Sequence, residues 1–543
     1  MQVLKSIKKL LPAVLLFSAV TACNKMVEVN SDSLLQEEDN YRNLFDADAA
    51  VTGLYGKFMN LAERYVLLNE LRADLMTVTP NADEHLRELN DHTVTADNPY
   101  ANPRPFYEVI LNCNDILYHF DRMLEDKQLK VEEYAMRYSD VAALRSWVYL
   151  QLGVHFGKVP YVTDPLSTTA DIENIRLMPR IEFNQLIDEL IRTMENLPTL
   201  EPYPAGASLV TSVDGFNTNK FFINKKALLG ELYLWKNDYH KAAMALKSVM
   251  ETGSGELYTY RLTGSSKGDK NDVAVGYDRY KELDEYMLVD NNSQGWRSLF
   301  ARDEDRLFDY EWIWFLPFGD NFKPVNPFID LFSNRGGRYL VKPSGSAMNK
   351  WDSQVQKNNF PYDARGKRFT WRMLDGQPVI MKYLYSFLEE ESFMPVDLFR
   401  KRGKWFLYRA ASLHLHYAEA ANRDRHSAIA YALVNQGLTT IPGKITNEAF
   451  PYDFDARKSD NPRIAADWCL NAGIRGRAYL YSPEITGDST LAIEDQIIDE
   501  AGLELAYEGQ RWSDLLRVAL RRNDPAYLAD KIYDKLLSEG NAH

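Results

Sequence analysis

Apolar positions recur at helical spacing from about residue 41 to 251 and again from 404 to the end. Asp46-Ala47-Asp48 opens a helix that carries Val51, Leu54, Tyr55 and Phe58 on one face. Further helices are predicted over 106–124, 131–156 and 181–197, the second stopping at Gly157 with Pro160 just beyond. Between them, 76–105 reads as a long loop, with Pro80, Pro99, Pro103 and Pro105. In 223–253 the positions Leu229, Gly230, Tyr233 and Ala242 fit a helix–turn–helix unit of tetratricopeptide spacing, with Asn237-Asp238 as the turn. The glycine there lets two helices approach closely, and Tyr233 and Ala242 are expected to set large against small.

From 252 to 403 the helical period is lost. Strand-like runs stand at 311–318, 338–341 and 378–385, separated by residues rich in Gly, Asp, Asn and Pro. A stretch of that length in a compact chain is functional or disordered, and its aromatic content points to order. Helical spacing returns over 405–439, with a turn near Asn422 to Arg425, and over 488–521, which Gly509 interrupts. The pattern predicts a mostly α fold: a tetratricopeptide-like helical scaffold bearing a large irregular insertion with short strands.

The first residues change the picture. Lys5, Lys8 and Lys9 precede an uncharged run, Leu10 to Ala22, that is shorter than the ~20 apolar residues a spanning helix needs and fits a secretory leader. The run ends in Val20-Thr21-Ala22-Cys23, which resembles a bacterial lipobox. The resemblance implies a leader over 1–22, lipid on the Cys23 thiol, and a polar tether over 23–40. Acyl chains contribute roughly 0.8 kcal/mol per buried CH₂, and several hold a protein on a membrane stably.

Formal charge is −14, more acidic still once the three leader lysines are gone. Such a body is poorly suited to nucleic acid. Cys113 and Cys469 form no CxxC pair, which leaves two buried thiols as the expectation, not a zinc site or disulfide framework. No phosphate loop, GxSxG elbow or HExxH motif occurs. His414 and His416, two apart on a predicted helix, face different ways, which favours packing over metal binding. Neither an enzyme, a metal nor a cofactor is expected. Glu508, Arg511 and Asp514 are spaced i, i+3, i+6 for an ion chain along one helix side, read as structural.

Several stretches, taken in order, resemble the SusD/RagB family of outer-membrane nutrient-binding lipoproteins. They are 143–165 (ALRSWVYLQLGVHFGKVPYVTDP), 223–243, GWRSLF at 295–300 followed by EWIWFLPF, LYRAASLHLHYAEAAN, and LELAYEGQRWSDLLR at 503–517. One departure is Ala501-Gly502, where relatives commonly carry an arginine after the acid. The resemblance implies one SusD-like domain over 41–543, with its irregular, ligand-facing part at 252–403 flanked by helical parts at 41–251 and 404–543. It implies a lipid-anchored protein on the outside of the outer membrane that hands an oligomeric nutrient to a SusC-like TonB-dependent transporter. A glycan is the first expectation, for which ten tryptophans speak; a peptide ligand and a tetratricopeptide adaptor for a protein are the alternatives. By the same resemblance, the ligand surface draws on the loop before 106–124 and on the irregular region. That nominates Asn98, Tyr100, Asn102 and Arg104, together with Phe318, Asn321, Phe322 and Trp351. Trp147, Trp235, Trp296 and Trp512 are expected in the core.

Overall fold

The computed structural model describes residues 41–166, 178–250, 296–301, 312–319, 323–356, 359, 361–367, 369–436, 449–452, 473–478 and 480–541. Cys23, Cys469, Asn321, Phe322 and the side chain of Trp296 therefore lie outside the described residues.

Ten helices carry the scaffold: α1 Leu44–Phe58, α2 Arg104–Glu125, α3 Val131–Phe156, α4 Phe183–Glu195, α5 Lys225–Lys236, α6 Tyr239–Met250, α7 Ala410–Arg423, α8 Ser489–Glu504, α9 Arg511–Arg522 and α10 Ala526–Ser538. Each packs on its successor, so the chain winds forward as a stack of neighbours. Asn43 caps α1 by accepting N–H bonds from Phe45 and Asp46, and the buried side is Ala47, Val51, Leu54, Tyr55 and Phe58. From Arg137 to Val154, α3 is buried almost all round, as befits a central helix. Its C-cap is Gly157 at φ 71°.

The α5–α6 pair has the predicted turn, with Asn237 at φ 64°. A Cβ on Gly230 would stand 2.6 Å from Cγ of Leu246. The close approach is thus Gly230 against Leu246, while Tyr233 turns its hydroxyl to Glu195 Oε1 at 2.5 Å.

Six strands pair antiparallel in twos: β1 Met76–Val78, β2 Trp312–Phe318, β3 Val341–Pro343, β4 Trp371–Leu374, β5 Gln377–Ile380 and β6 Gly403–Arg409. The pairs are β1–β3, β2–β6 and the β4–β5 hairpin, which turns through Asp375 and Gly376, both at positive φ. Shorter pairs join Val159–Pro160 to Arg180–Ile181 and Ser212–Val213 to Phe216–Asn217. The helix predicted to begin at 405 begins at Ala410; its first residues are strand β6 instead. All seven residues of β6 are buried, and its short apolar run 405–408 has no period that separates strand from helix.

The eight tryptophans whose side chains are described are all buried. Phe58 alone meets Trp405 at 5.0 Å, Trp147 at 5.2 Å and Trp314 at 5.7 Å between ring centroids. Trp147, Trp235 and Trp512 sit in the core as expected. These eight rings give no support to a sugar ligand, because they fill the interior.

Candidate functional site

The helix predicted to run through 488–521 stops at Glu504. The segment that follows folds around the Glu70 carboxylate, which lies on a π-turn, Leu67–Leu71. Glu70 accepts N–H bonds from Tyr507 (3.1 Å), Gly509 (2.7 Å) and Gln510 (3.1 Å). Tyr507 has φ 70° and Gly509 φ 90°, and a Cβ at 509 would reach 2.2 Å from the Tyr65 ring.

The expected Glu508–Arg511–Asp514 chain does not form, because Glu508 precedes α9 and each of the three pairs with a residue outside the trio. Glu508 takes Lys382 at 2.6 Å and Arg409 at 2.8 Å. Arg511 takes Asp74 at 2.7 Å, and Asp514 takes Arg517 at 2.8 Å. Glu504 binds both Arg365 (2.8 Å) and Arg409 (2.9 Å). This buried network ties the carboxyl-terminal helices to the irregular region, so it fixes where the loops stand. Gly502 serves it directly: a Cβ there would lie 2.9 Å from Nη1 of Arg511, so the missing side chain leaves room for the guanidinium.

On that frame the loop before α2 is built tightly. Asn98 is buried. Its Oδ1 accepts the Tyr100 N–H (2.9 Å), and its Nδ2 donates to the His85 carbonyl (2.9 Å) and Glu88 Oε2 (2.8 Å). Asn98 therefore shapes the loop from beneath. Tyr100 is half-buried, with the Arg64 guanidinium 5.9 Å from its ring centroid and Nη2 of Arg64 donating to the Pro99 carbonyl at 2.6 Å. Burial, then the charges of Glu63 and Asp83, raise the Tyr100 phenol well above its usual range. Asn102 and Arg104 are exposed: Asn102 Oδ1 accepts the Arg104 N–H at 2.9 Å, and Arg104 Nε meets Glu108 at 2.9 Å. The loop thus carries a rim of exposed Asn102 and Arg104 beside the half-buried Tyr100.

The nominees from the irregular region fare differently. Phe318 is buried at the end of β2, edge-on to Phe328 at 5.8 Å. Trp351 is 0% exposed. Its backbone carbonyl accepts the Asp363 N–H at 3.0 Å, and Gly366 presses on its ring so closely that a Cβ would lie 2.3 Å from Cγ. A ring enclosed on that scale offers no face to a ligand, so both residues are corrected to packing roles. His414 and His416 are buried too; His416 lies 3.7 Å from Asp514 and 3.1 Å from the Tyr408 hydroxyl. Among the described residues no cluster of metal-ligating side chains is present.

Two surface features escaped the sequence reading. The loop after β5 exposes Met394, Val396 and Leu398, and Phe399 is 95% exposed. It is held by Arg335 Nη1 on the Ser392 carbonyl (2.7 Å) and by Lys401 on Asp330 (3.0 Å). The run M-P-V-D-L-F between charged flanks was the available signal. On α2, far from the Tyr100 end, a cleft of about 510 Å³ is lined by Tyr41, Asp115, Tyr118 and Arg122 among others.

A model of the SusD family matches residues 310–538. SusD-like protein P2 of Formosa agariphila is 24% identical over 245 residues, which cover 44% of this chain and 45% of that protein; the chain thus spans less than half the length of this curated relative. Among solved structures, a SusD superfamily protein from Bacteroides thetaiotaomicron has TM-score 0.59 at 17% identity, covering 93% of this chain and 95% of that one. A SusD-like carbohydrate binding protein from Bacteroides fragilis has TM-score 0.58 at 16% identity, covering 91% and 88%. A laminarin binding SusD-like protein has TM-score 0.54 at 16% identity, covering 92% and 94%. At these identities the structures establish a shared fold.

Proposed function

From the premise that this is a SusD-like chain, with the family's pattern over 310–538 on a SusD-superfamily fold, we propose that it captures an oligomeric glycan at the cell surface and delivers it to a TonB-dependent outer-membrane transporter. Lipid on Cys23 holds it to the outer face of the outer membrane, and among the described residues no helix is long and apolar enough to cross one. The observation that carries the reading is the rim of Tyr100, Asn102 and Arg104, an aromatic ring set beside amide and guanidinium groups on a rigid loop. Such a rim can stack on a sugar face and bond its hydroxyls. The names of two structural relatives, carbohydrate binding and laminarin binding, favour glycan over peptide. The chain acts as a binder and not as a hydrolase.

The test uses the soluble body, residues 24–543, on affinity gels of plant and algal polysaccharides. Retardation on at least one gel is expected, with the oligosaccharide recovered at its original length after prolonged incubation. Shortened products would replace this reading with a surface hydrolase, and retention on peptide ligands alone would replace the ligand class. Incorporation of labelled palmitate, lost in Cys23→Ala, tests the anchor.

A further inference from the structure

Arg72 ends the helical stretch that α1 begins. Its guanidinium carbon lies 3.9 Å from the Trp512 ring centroid, and Nη1 donates to His155 Nδ1 at 3.3 Å. Among the described residues no carboxylate stands within ion-pair distance of it, and Nη1 is the one nitrogen of the fork with a protein partner. The other nitrogens are not sealed from solvent. Burial pushes its pKa down to about 10, so it is still charged at neutral pH. The contrast with Arg365, Arg409 and Arg517 is plain, since each of those is clasped by at least two carboxylates.

Asp91 acts on the neighbouring His92, but among the described residues no carboxylate acts on Arg72 itself. Burial holds His155 neutral, and burial with the nearby Lys535 pushes His92 down to about 4. The corner thus carries an uncompensated cation in a chain of net charge −14. Desolvating a charge without a partner is costly, and the stack on Trp512 recovers part of that cost. A flat fork with free N–H groups matches an oxyanion in two-pronged geometry.

The corner and the capture rim are joined through shared segments of the chain. His92, whose Nε2 lies 2.9 Å from the Arg72 carbonyl, begins the segment that leads to Asn98 and Tyr100. His155 stands beside Phe156, which packs edge-on against Phe106 at 6.0 Å in the first turn of α2, just after that loop. Arg64, next to the Tyr100 ring, precedes Arg72 on the same helical stretch by eight residues, roughly 12 Å of rise.

We infer that Arg72 anchors an oxyanion substituent, a carboxylate or a sulfate ester, on the oligomer captured at the Tyr100 rim. The inference rests on the reading of this protein as a glycan binder and narrows its ligand to an acidic glycan.

The soluble body is run through gels containing polygalacturonate, a sulfated galactan or a neutral β-glucan. Because the protein itself is acidic, general charge attraction does not hold it on a polyanion. Stronger retardation on one anionic gel than on the glucan is expected, and the gel that retards identifies the anion. Arg72→Gln should lose at least about tenfold in affinity, and Arg72→Lys, which keeps charge without the fork, should lose less. If Arg72→Gln does not fold, competition on the unmodified protein reads the same point: free galacturonate or sulfated galactose oligomers must displace it where glucose oligomers do not. Retention on the neutral glucan alone, or an Arg72→Gln protein that binds as the parent does, overturns the inference and leaves glycan capture standing. Retention on none of the gels counts against both.

Discussion

Arg511 grips Asp74 through two parallel bonds, Nε to Oδ1 at 2.7 Å and Nη2 to Oδ2 at 2.9 Å, across 437 positions of sequence. The pair fastens the first turn of α9 to the segment that leads into β1. Burial alone would raise the Asp74 carboxyl, but Arg511 and Lys350 hold it well below the usual range. A depressed carboxyl contributes stability that is present above its unfolded pKa and lost as pH falls below it.

Asp74→Asn should therefore destabilise the fold at neutral pH by about 3–5 kcal/mol, since it strands a buried guanidinium. The variant should also lose less stability than the parent on acidification below about pH 4. Urea unfolding at pH 7 and pH 3.5 measures both, and an equal acid response in the two proteins would remove Asp74 from the account.

Trp351→Ala should cost about 3–5 kcal/mol, because it empties a closed site between the Gly345–Asp352 helix and the turn at Asp363–Gly366. Glycan retention per folded molecule should stay as in the parent. Unchanged stability with lost retention would return Trp351 to the ligand surface.

Glu70 gives a pH dependence of opposite sign to that of Asp74. Burial raises its pKa from 4.5 to about 7, against the pull of the N–H groups of Gly509, Tyr507, Gln510 and Arg511. Between those values the folded chain holds a proton that the unfolded chain has released, so this group's contribution falls as pH rises through the window. The stability of the parent minus that of Glu70→Gln should decline from pH 4.5 to pH 7, as read by chemical denaturation at several pH values. A flat difference would show that the loop solvates the charge fully.

Tyr100→Ala should weaken glycan retention roughly tenfold, the ~1–1.5 kcal/mol of one stacked ring. Its half-buried position limits the stability loss to about 1 kcal/mol. Affinity gels with a parallel melting curve separate the two effects, and retention equal to the parent's would move the capture surface off this loop.

The local pattern was enough for the helices. Val51, Leu54, Tyr55 and Phe58 declare the buried side of α1, Gly157 ends α3, and Gly230 with Asn237 announces the α5–α6 pair, because periodicity and capping are short-range properties of the chain. The order of the family-like stretches named the fold. What stayed hidden depends on partners far off in sequence. Strand β6 passed for helix because its ladder is made with β2, about 90 residues earlier. Trp351 and Phe318 looked like ligand platforms because residue type says aromatic but not which faces remain open. Glu508, Arg511 and Asp514 looked like one chain because spacing shows neighbours on a helix, and the helix had already broken at Glu504 around a carboxylate from residue 70. The cation at Arg72 had no signature whatever: a charge is uncompensated only once every acidic side chain has been placed, and that is a property of the folded molecule alone.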